Sequence, residues 1–207
     1  MDVGPGTAGH GELMDIVGAA ERSRDLTGKL LTFARTERLD VRPQRIGKLV
    51  EDLEGLLGRT LSKKTRIRID VKEACLVAAD TTLLQQAILN ICMNADDAMP
   101  AGGDLTIECR ENSADEALPL DDGDRLSGPH CVVEISDAGV GMSDGTVRKV
   151  VDPFFTTKGQ GSGLGLSVSH GIVRSHGGYL HISSVVDVGT CVEIHLPLSD
   201  GVEEGPS

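Results

Sequence analysis

Between Asp152 and Gly178 the chain reads DPFFTTKGQGSGLGLSVSHGIVRSHGG, an aromatic pair, then a Gly-rich loop, then an apolar-periodic helix. No other stretch narrows the possible folds as much. Gly161, Gly163 and Gly165 alternate with Ser162, Leu164 and Leu166. Flexible backbone therefore runs straight into a helix start, where unsatisfied N–H groups and the positive dipole end favour an anion. The spacing is GxGxG, with the helix continuing through Val168, Ile172 and Val173. It matches neither GxxxxGK[ST] nor GxGxxG after a strand, which sets aside the P-loop and Rossmann arrangements. Taken alone, the segment is equally a flexible turn before a helix.

Two further segments accompany it. Residues 81–98 read as a helix capped by Asp80 or Thr81, with Leu84, Ala87, Ile88, Ile91 and Ala95 toward a core. Asn90, Asn94 and Asp97 fall at i, i+4 and i+7 on another face. Asn is a mediocre helix former, and a solvated face more usually carries Glu, Lys and Arg. The other segment begins at Asp137, which ends the apolar strand CVVEIS and precedes Gly139 and Gly141. These glycines let backbone approach a flat ligand closely, although DxGxG by itself is more often a tight turn.

Asn90–Met99 (NICMNADDAM), Asp137–Met142 (DAGVGM), Pro153–Lys158 (PFFTTK) and Gly161–Leu166 (GSGLGL) follow one another in that order. In this the chain, from about Gly11 to Pro197, resembles the catalytic ATP-binding domain of sensor histidine kinases. That superfamily also holds DNA gyrase, heat-shock chaperone ATPases and MutL. The resemblance implies ATP and Mg²⁺ as ligands, with the amide oxygens of Asn90 and Asn94 on the metal. It makes Asp137 the reader of the adenine amine, helped by Met142 and by an ordered water or Thr190. Asp97, Gly139, Gly141 and Gly161 to Leu166 (Gly161, Ser162, Gly163, Leu164, Gly165, Leu166) join them around the nucleotide. Phe154 and Phe155 are implied hinge anchors, their alternative being core filling. Thr156, Thr157 and Lys158 would face the phosphates, and Ser143 to Gly161 would form a lid.

Asn90, Asn94 and Lys158 are the implied catalytic set. Hydrolytic relatives carry a Glu base where this chain has Asn90, and an amide cannot abstract a proton at neutral pH. The γ-phosphoryl would then be kept for a histidine, with catalysis resting on positioning and charge neutralisation. Asp96, where relatives often place Arg, is expected to add negative charge near the phosphate face.

The chain has 32 Asp and Glu against 20 Lys and Arg, a net charge of −12. Such a surface repels phosphate backbones and anionic lipid, which disfavours nucleic-acid and membrane-surface roles. The aromatic residues are Phe33, Phe154, Phe155 and Tyr179, so the core must be aliphatic and base-stacking platforms are excluded. Cys75, Cys92, Cys109, Cys131 and Cys191 form no CxxC pair and read as reduced core thiols of a cytoplasmic protein. No apolar run approaches a membrane span, and no signal peptide is apparent.

In chain order, residues 1–10 are a Gly-rich start without expected order. Residues 11–40 carry a long amphipathic helix, about Glu12 to Arg38, that resembles the second helix of the kinase dimerisation hairpin. Val41 to Pro43 reads as a linker within the catalytic domain of residues 41–198, and 199–207 as a tail. A helix from Ile46 to about Leu61 carries a stripe of Ile46, Leu49, Val50, Leu53, Leu56 and Leu57. Residues 65–71, 105–110, 131–136, 178–184 and 189–196 alternate as strands, with Cys75–Ala79 a short partner of the first. Glu111 to Pro129 is an acidic connection without assigned chemistry. The expected fold is a two-layer α/β sandwich of the Bergerat type, a mixed, mostly antiparallel sheet of about five strands with three helices on one face.

None of the six histidines has the surroundings of a phosphoacceptor. The resemblance therefore implies an acceptor on a dimerisation hairpin outside this chain, a response-regulator receiver domain as partner, and a homodimer in the full-length protein. A fragment of this kind is not expected to phosphorylate itself. A hydrolytic ATPase and a non-catalytic docking or phosphotransfer adaptor are the two rival readings.

Overall fold

The computed structural model describes residues 39–73, 75–112, 118–119, 125–126, 128–158 and 161–199. The expected helix of the dimerisation type lies outside the described residues. Where a linker was expected, Arg42–Arg45 forms strand β1, which leads into helix α1, Ile46–Thr60. Helix α1 buries Ile46, Leu49, Val50, Leu53 and Leu57, while Leu56 of the expected stripe is 39% exposed. Strand β2, Thr65–Val71, alternates as its sequence requires. Strand β3, Leu76–Ala79, pairs antiparallel with β1 and not with β2. Alternation marks a half-buried strand but does not name its neighbour.

Helix α2, Thr81–Asp97, starts where Asp80 accepts hydrogen bonds from Thr82 N (3.0 Å) and Leu83 N (3.2 Å). It lies in the crossover from β2 to β4, Gly103–Asn112, and these two strands run parallel. The next pairings are antiparallel: β4 with β7 (His130–Asp137), β7 with β9 (Gly189–Pro197), and β9 with β8 (Tyr179–Val185). The five-stranded order is thus β2-β4-β7-β9-β8. Within the acidic connection, β5 (Leu118–Pro119) and β6 (Arg125–Leu126) pair with each other. Helix α3, Asp144–Val147, is a single turn, and helix α4 is Gly165–Ser175.

Helices α1, α2 and α4 cover one face of the sheet, closing the expected α/β sandwich. Their apolar stripes meet a core of Leu53, Leu57, Leu84, Ile88, Leu105, Ile107, Ile135, Ile194 and Leu196, all essentially without solvent contact. The core is aliphatic, as the scarcity of aromatic residues demands. On the other face, Arg110 reaches Glu193 at 3.3 Å and Glu134 at 3.7 Å across neighbouring strands. No helix among the described residues is long and apolar enough to cross a membrane.

Candidate functional site

The last two turns of α2 meet three separate segments of the chain. Asn94 looks onto the start of α4: a Cβ built at Gly165 would stand 3.4 Å from Asn94 Nδ2 and 3.9 Å from its Oδ1. One turn on, Asp97 Oδ2 accepts from Lys158 Nζ at 2.9 Å. The following residue, Ala98, accepts Val140 N at 3.0 Å. A Cβ at Gly139 would come within 2.7 Å of that same carbonyl. One turn before Asn94, Asn90 is nearly buried, and its Nδ2 has no hydrogen-bond partner among the described residues.

Asp137 ends β7 half-buried beside these residues. Its Oδ1 accepts from Gly139 N at 2.8 Å and Thr190 N at 3.3 Å. No donor among the described residues reaches Oδ2. Burial pushes the Asp137 carboxyl above the usual range, and the Gly139 and Thr190 amides and the Lys158 charge pull it partly back. Met142 donates its backbone N–H to Ser184 Oγ at 2.8 Å. Ser184 donates to Gly189 O at 2.9 Å and sits 2.9 Å from Thr190 Oγ1. One hydroxyl thus ties Met142 to Thr190 across the β8–β9 turn. The sequence reading missed Ser184, because its alternation in β8 marks a strand and nothing more. Gly141 has φ 62°, and a Cβ there would lie 2.0 Å from Val185 O, so the loop and the β8–β9 turn touch backbone to backbone.

In the expected lid, Ser143 Oγ accepts Thr146 N at 3.3 Å and caps α3. Phe154 donates its N–H to Gly163 O at 3.0 Å, and a Cβ at Gly163 would collide with Phe154 backbone. The aromatic segment and the Gly loop therefore lie against each other by main chain. Phe154 itself is 61% exposed with φ 69°, so it fills no core and anchors no hinge by its ring; Phe155 is half-buried. Thr156 Oγ1 accepts Lys158 N at 3.1 Å, bending the chain so that Lys158 turns toward Asp97. Thr157 is exposed, as are Gly161 and Ser162, whereas Leu164 is buried and Leu166 half-buried. Among the described residues no side chain caps the start of α4 at Leu164.

Asp96 does not face the Gly loop. It accepts Thr65 Oγ1 at 2.5 Å and Ser62 N at 3.1 Å, tying α2 to the turn before β2. Two residues beyond Asn94 it lies about 200° around the helix, so its charge points away from the cleft. All five cysteines are free, and Cys191 is half-buried. Cys75, Cys92, Cys109 and Cys131 are buried free thiols, but three of them converge in space.

Residues 79–200 match the protein family described as histidine kinase-, DNA gyrase B-, and HSP90-like ATPase. The chain is 35% identical over 189 residues to sensor kinase CckA of Brucella abortus, covering 90% of this chain and 20% of that protein. It is 26% identical over 191 residues to sporulation kinase E of Bacillus subtilis, covering 91% and 24% respectively. The chain therefore spans about a quarter or less of these two relatives' lengths. Among solved structures, full-length ShkA in complex with AMPPNP superposes with a TM-score of 0.70 at 20% identity, over 93% of this chain and 40% of that one. The catalytic domain of histidine kinase ThkA superposes at 0.64 with 22% identity, over 77% and 97%. Both structures share the fold described above.

Proposed function

The chain belongs to the family of histidine kinase-, DNA gyrase B- and HSP90-like ATPases, as the ATP-binding catalytic domain of a sensor histidine kinase, and we propose that it works by holding ATP in the cleft at the end of α2 and passing the γ-phosphoryl to a histidine on another segment. One observation carries this reading. Asn94 beside Gly165, Asp97 holding Lys158, and Asp137 with one free carboxylate oxygen all gather around the same two turns of helix.

The roles follow from the groups. Asp137 Oδ2 is placed to accept from the adenine amine, while the two backbone N–H bonds on Oδ1 hold the carboxylate in orientation. Gly139 and Gly141 let the loop pack against Ala98 and the β8–β9 turn, which holds it beside Asp137, with Met142 and Thr190 at the ring's margin, positioned through Ser184. The uncapped start of α4 and the Gly161–Leu166 loop suit phosphate oxygens. Asn90 and Asn94 offer hard amide oxygens one helical turn apart on α2. These residues fit Mg²⁺, which when bound neutralises phosphate charge. Lys158 exchanges its Asp97 partner for the γ-phosphoryl. Asn90 supplies no base, so water is left unactivated and transfer to an imidazole is favoured.

The acceptor histidine belongs to a dimerisation hairpin, and the phosphoryl group passes on to a receiver domain. The working protein is a homodimer in the cytoplasm. Calorimetry of ATP binding with and without Mg²⁺, followed by addition of a hairpin carrying an acceptor histidine, tests the scheme. Mg²⁺-dependent binding and acid-labile phosphate on the hairpin are expected. Steady phosphate release without an acceptor would point instead to a hydrolytic ATPase, and absence of nucleotide binding to an adaptor.

A further inference from the structure

Away from the nucleotide cleft, Cys75, Cys109 and Cys131 bring their Sγ atoms within 4.8 Å of one another. They come from the approach to β3, from β4 and from β7, so only the tertiary fold unites them. All three are buried, at 2%, 0% and 0% exposure. Cys109 and Cys131 are 3.8 Å apart, Sγ to Sγ. We propose that these three thiols form a binding site for a soft, thiophilic cation of the cuprous class, coordinated by three sulfurs.

The spacing fits this chemistry. Three sulfurs around a central ion at about 2.3 Å stand about 4.0 Å apart when trigonal, so small side-chain rotations suffice. A fourth ligand would be needed for a closed zinc site, and among the described residues no further His, Cys, Asp or Glu joins the three. Thiolate sets with few ligands suit monovalent copper.

A disulfide fits less well. Cys109 is registered opposite Val133 and Cys131 opposite Glu111, which makes the two cysteines diagonal neighbours on one face. Diagonal positions stand roughly 7–8 Å apart, beyond the span a disulfide bridges without backbone movement. Their sulfurs approach only because the side chains lean together.

The thiols also influence one another. Hydrogen bonds from the Cys109 and Cys131 thiols pull Cys75 down to about 4. For Cys109 the largest single influence, the Cys131 hydrogen bond, lowers it, but the Cys75 hydrogen bond, burial and the Cys75 and Glu73 charges together raise it to about 12, and Cys131 is raised further. Each metal–sulfur bond then forms as a thiol proton leaves for solvent. Between the cluster and solvent lies Glu73, an exposed residue whose carbonyl is 3.9 Å from Cys109 Sγ and whose carboxylate accepts Glu111 N. Because Cys75 O accepts Ile46 N at 2.9 Å, an ion here would couple the start of α1 to β4 and β7.

The test is an anaerobic titration of the whole chain with cuprous ion in a weak chelator, followed by ultraviolet thiolate-to-metal absorption and native mass. One equivalent should bind, and copper-edge absorption should show three sulfur neighbours at about 2.3 Å. Cys75→Ser should weaken binding by more than the roughly 10- to 100-fold typical of losing an outer-shell partner, while Cys191→Ser should not. Failure to form a one-to-one complex, a two-sulfur environment, or equal affinity in Cys75→Ser would overturn the proposal. So would a Cys109–Cys131 disulfide formed in air by the metal-free protein. The wild-type measurements stand even if Cys75→Ser fails to fold, and they do not depend on nucleotide binding.

Discussion

Lys158 and Asp97, 61 residues apart in the chain, meet at 2.9 Å with their side chains 41% and 62% exposed. Water screens such a pair, so its contribution to stability is only about 0–1 kcal/mol. Its meaning lies in position, since it parks a cation at the rim of the cleft. Lys158→Ala should leave the melting temperature nearly unchanged and weaken ATP about 10-fold while sparing adenosine, a loss of about 1.4 kcal/mol. Equal weakening of ATP and adenosine by calorimetry would remove Lys158 from the phosphate end.

Asp137→Asn keeps an oxygen for the Gly139 and Thr190 amides but replaces the acceptor at Oδ2 with a donor. Affinity for ATP and for adenosine should both fall, by roughly 10- to 100-fold. Circular dichroism should stay that of the parent, because the two backbone bonds survive. A variant that binds nucleotide normally would contradict the role given to this carboxylate.

Three glycines separate folding from binding. Gly141→Ala and Gly163→Ala place a Cβ against backbone, at 2.0 Å from Val185 O and 2.4 Å from the Phe154 carbonyl carbon, at positive φ in both cases. Both should lower the melting temperature. Gly165→Ala meets Asn94 only at 3.4 Å and removes a glycine from a helix, which stabilises by up to about 1 kcal/mol. It should melt no lower than the parent yet bind nucleotide more weakly, since the methyl group occupies the gap between α4 and Asn94.

His195 predicts a pH dependence unconnected with the cleft. It is 2% exposed, and neither ring nitrogen has a hydrogen-bond partner among the described residues. Burial, then the charges of His130, His181 and Arg110, lower it from 6.5 to about 4. The unfolded chain therefore takes up this proton first, and stability is lost as pH falls from about 6.5 toward about 4, by at most about 3 kcal/mol. Urea unfolding across that window should show the slope, and His195→Leu should flatten it. An unchanged slope in the variant would assign the effect to other groups.

The local geometry of the candidate site was partly legible before the fold. Asn90, Asn94 and Asp97 share a stripe because helical periodicity puts i, i+4 and i+7 together, and α2 forms where Asp80 can cap it. Phe154 was misread because an aromatic side chain signals burial on average, whereas here a left-handed backbone turns it outward. Asp96 was placed with the phosphates by its neighbours in sequence, but on a helix adjacent residues point apart.

The sequence by itself determined the elements that local periodicity can encode: the aliphatic stripes of α1, α2 and α4, the alternating strands, and the Gly-rich entry to a helix. Tertiary structure alone decided which strand pairs with which, so that β3 joins β1 and β2 runs parallel to β4. It alone set Lys158 on Asp97, made Ser184 a bridge to Thr190, and gathered three distant cysteines. The reason is physical. Periodicity records which face of an element is apolar, whereas contacts between elements depend on register and packing that no short window of residues contains.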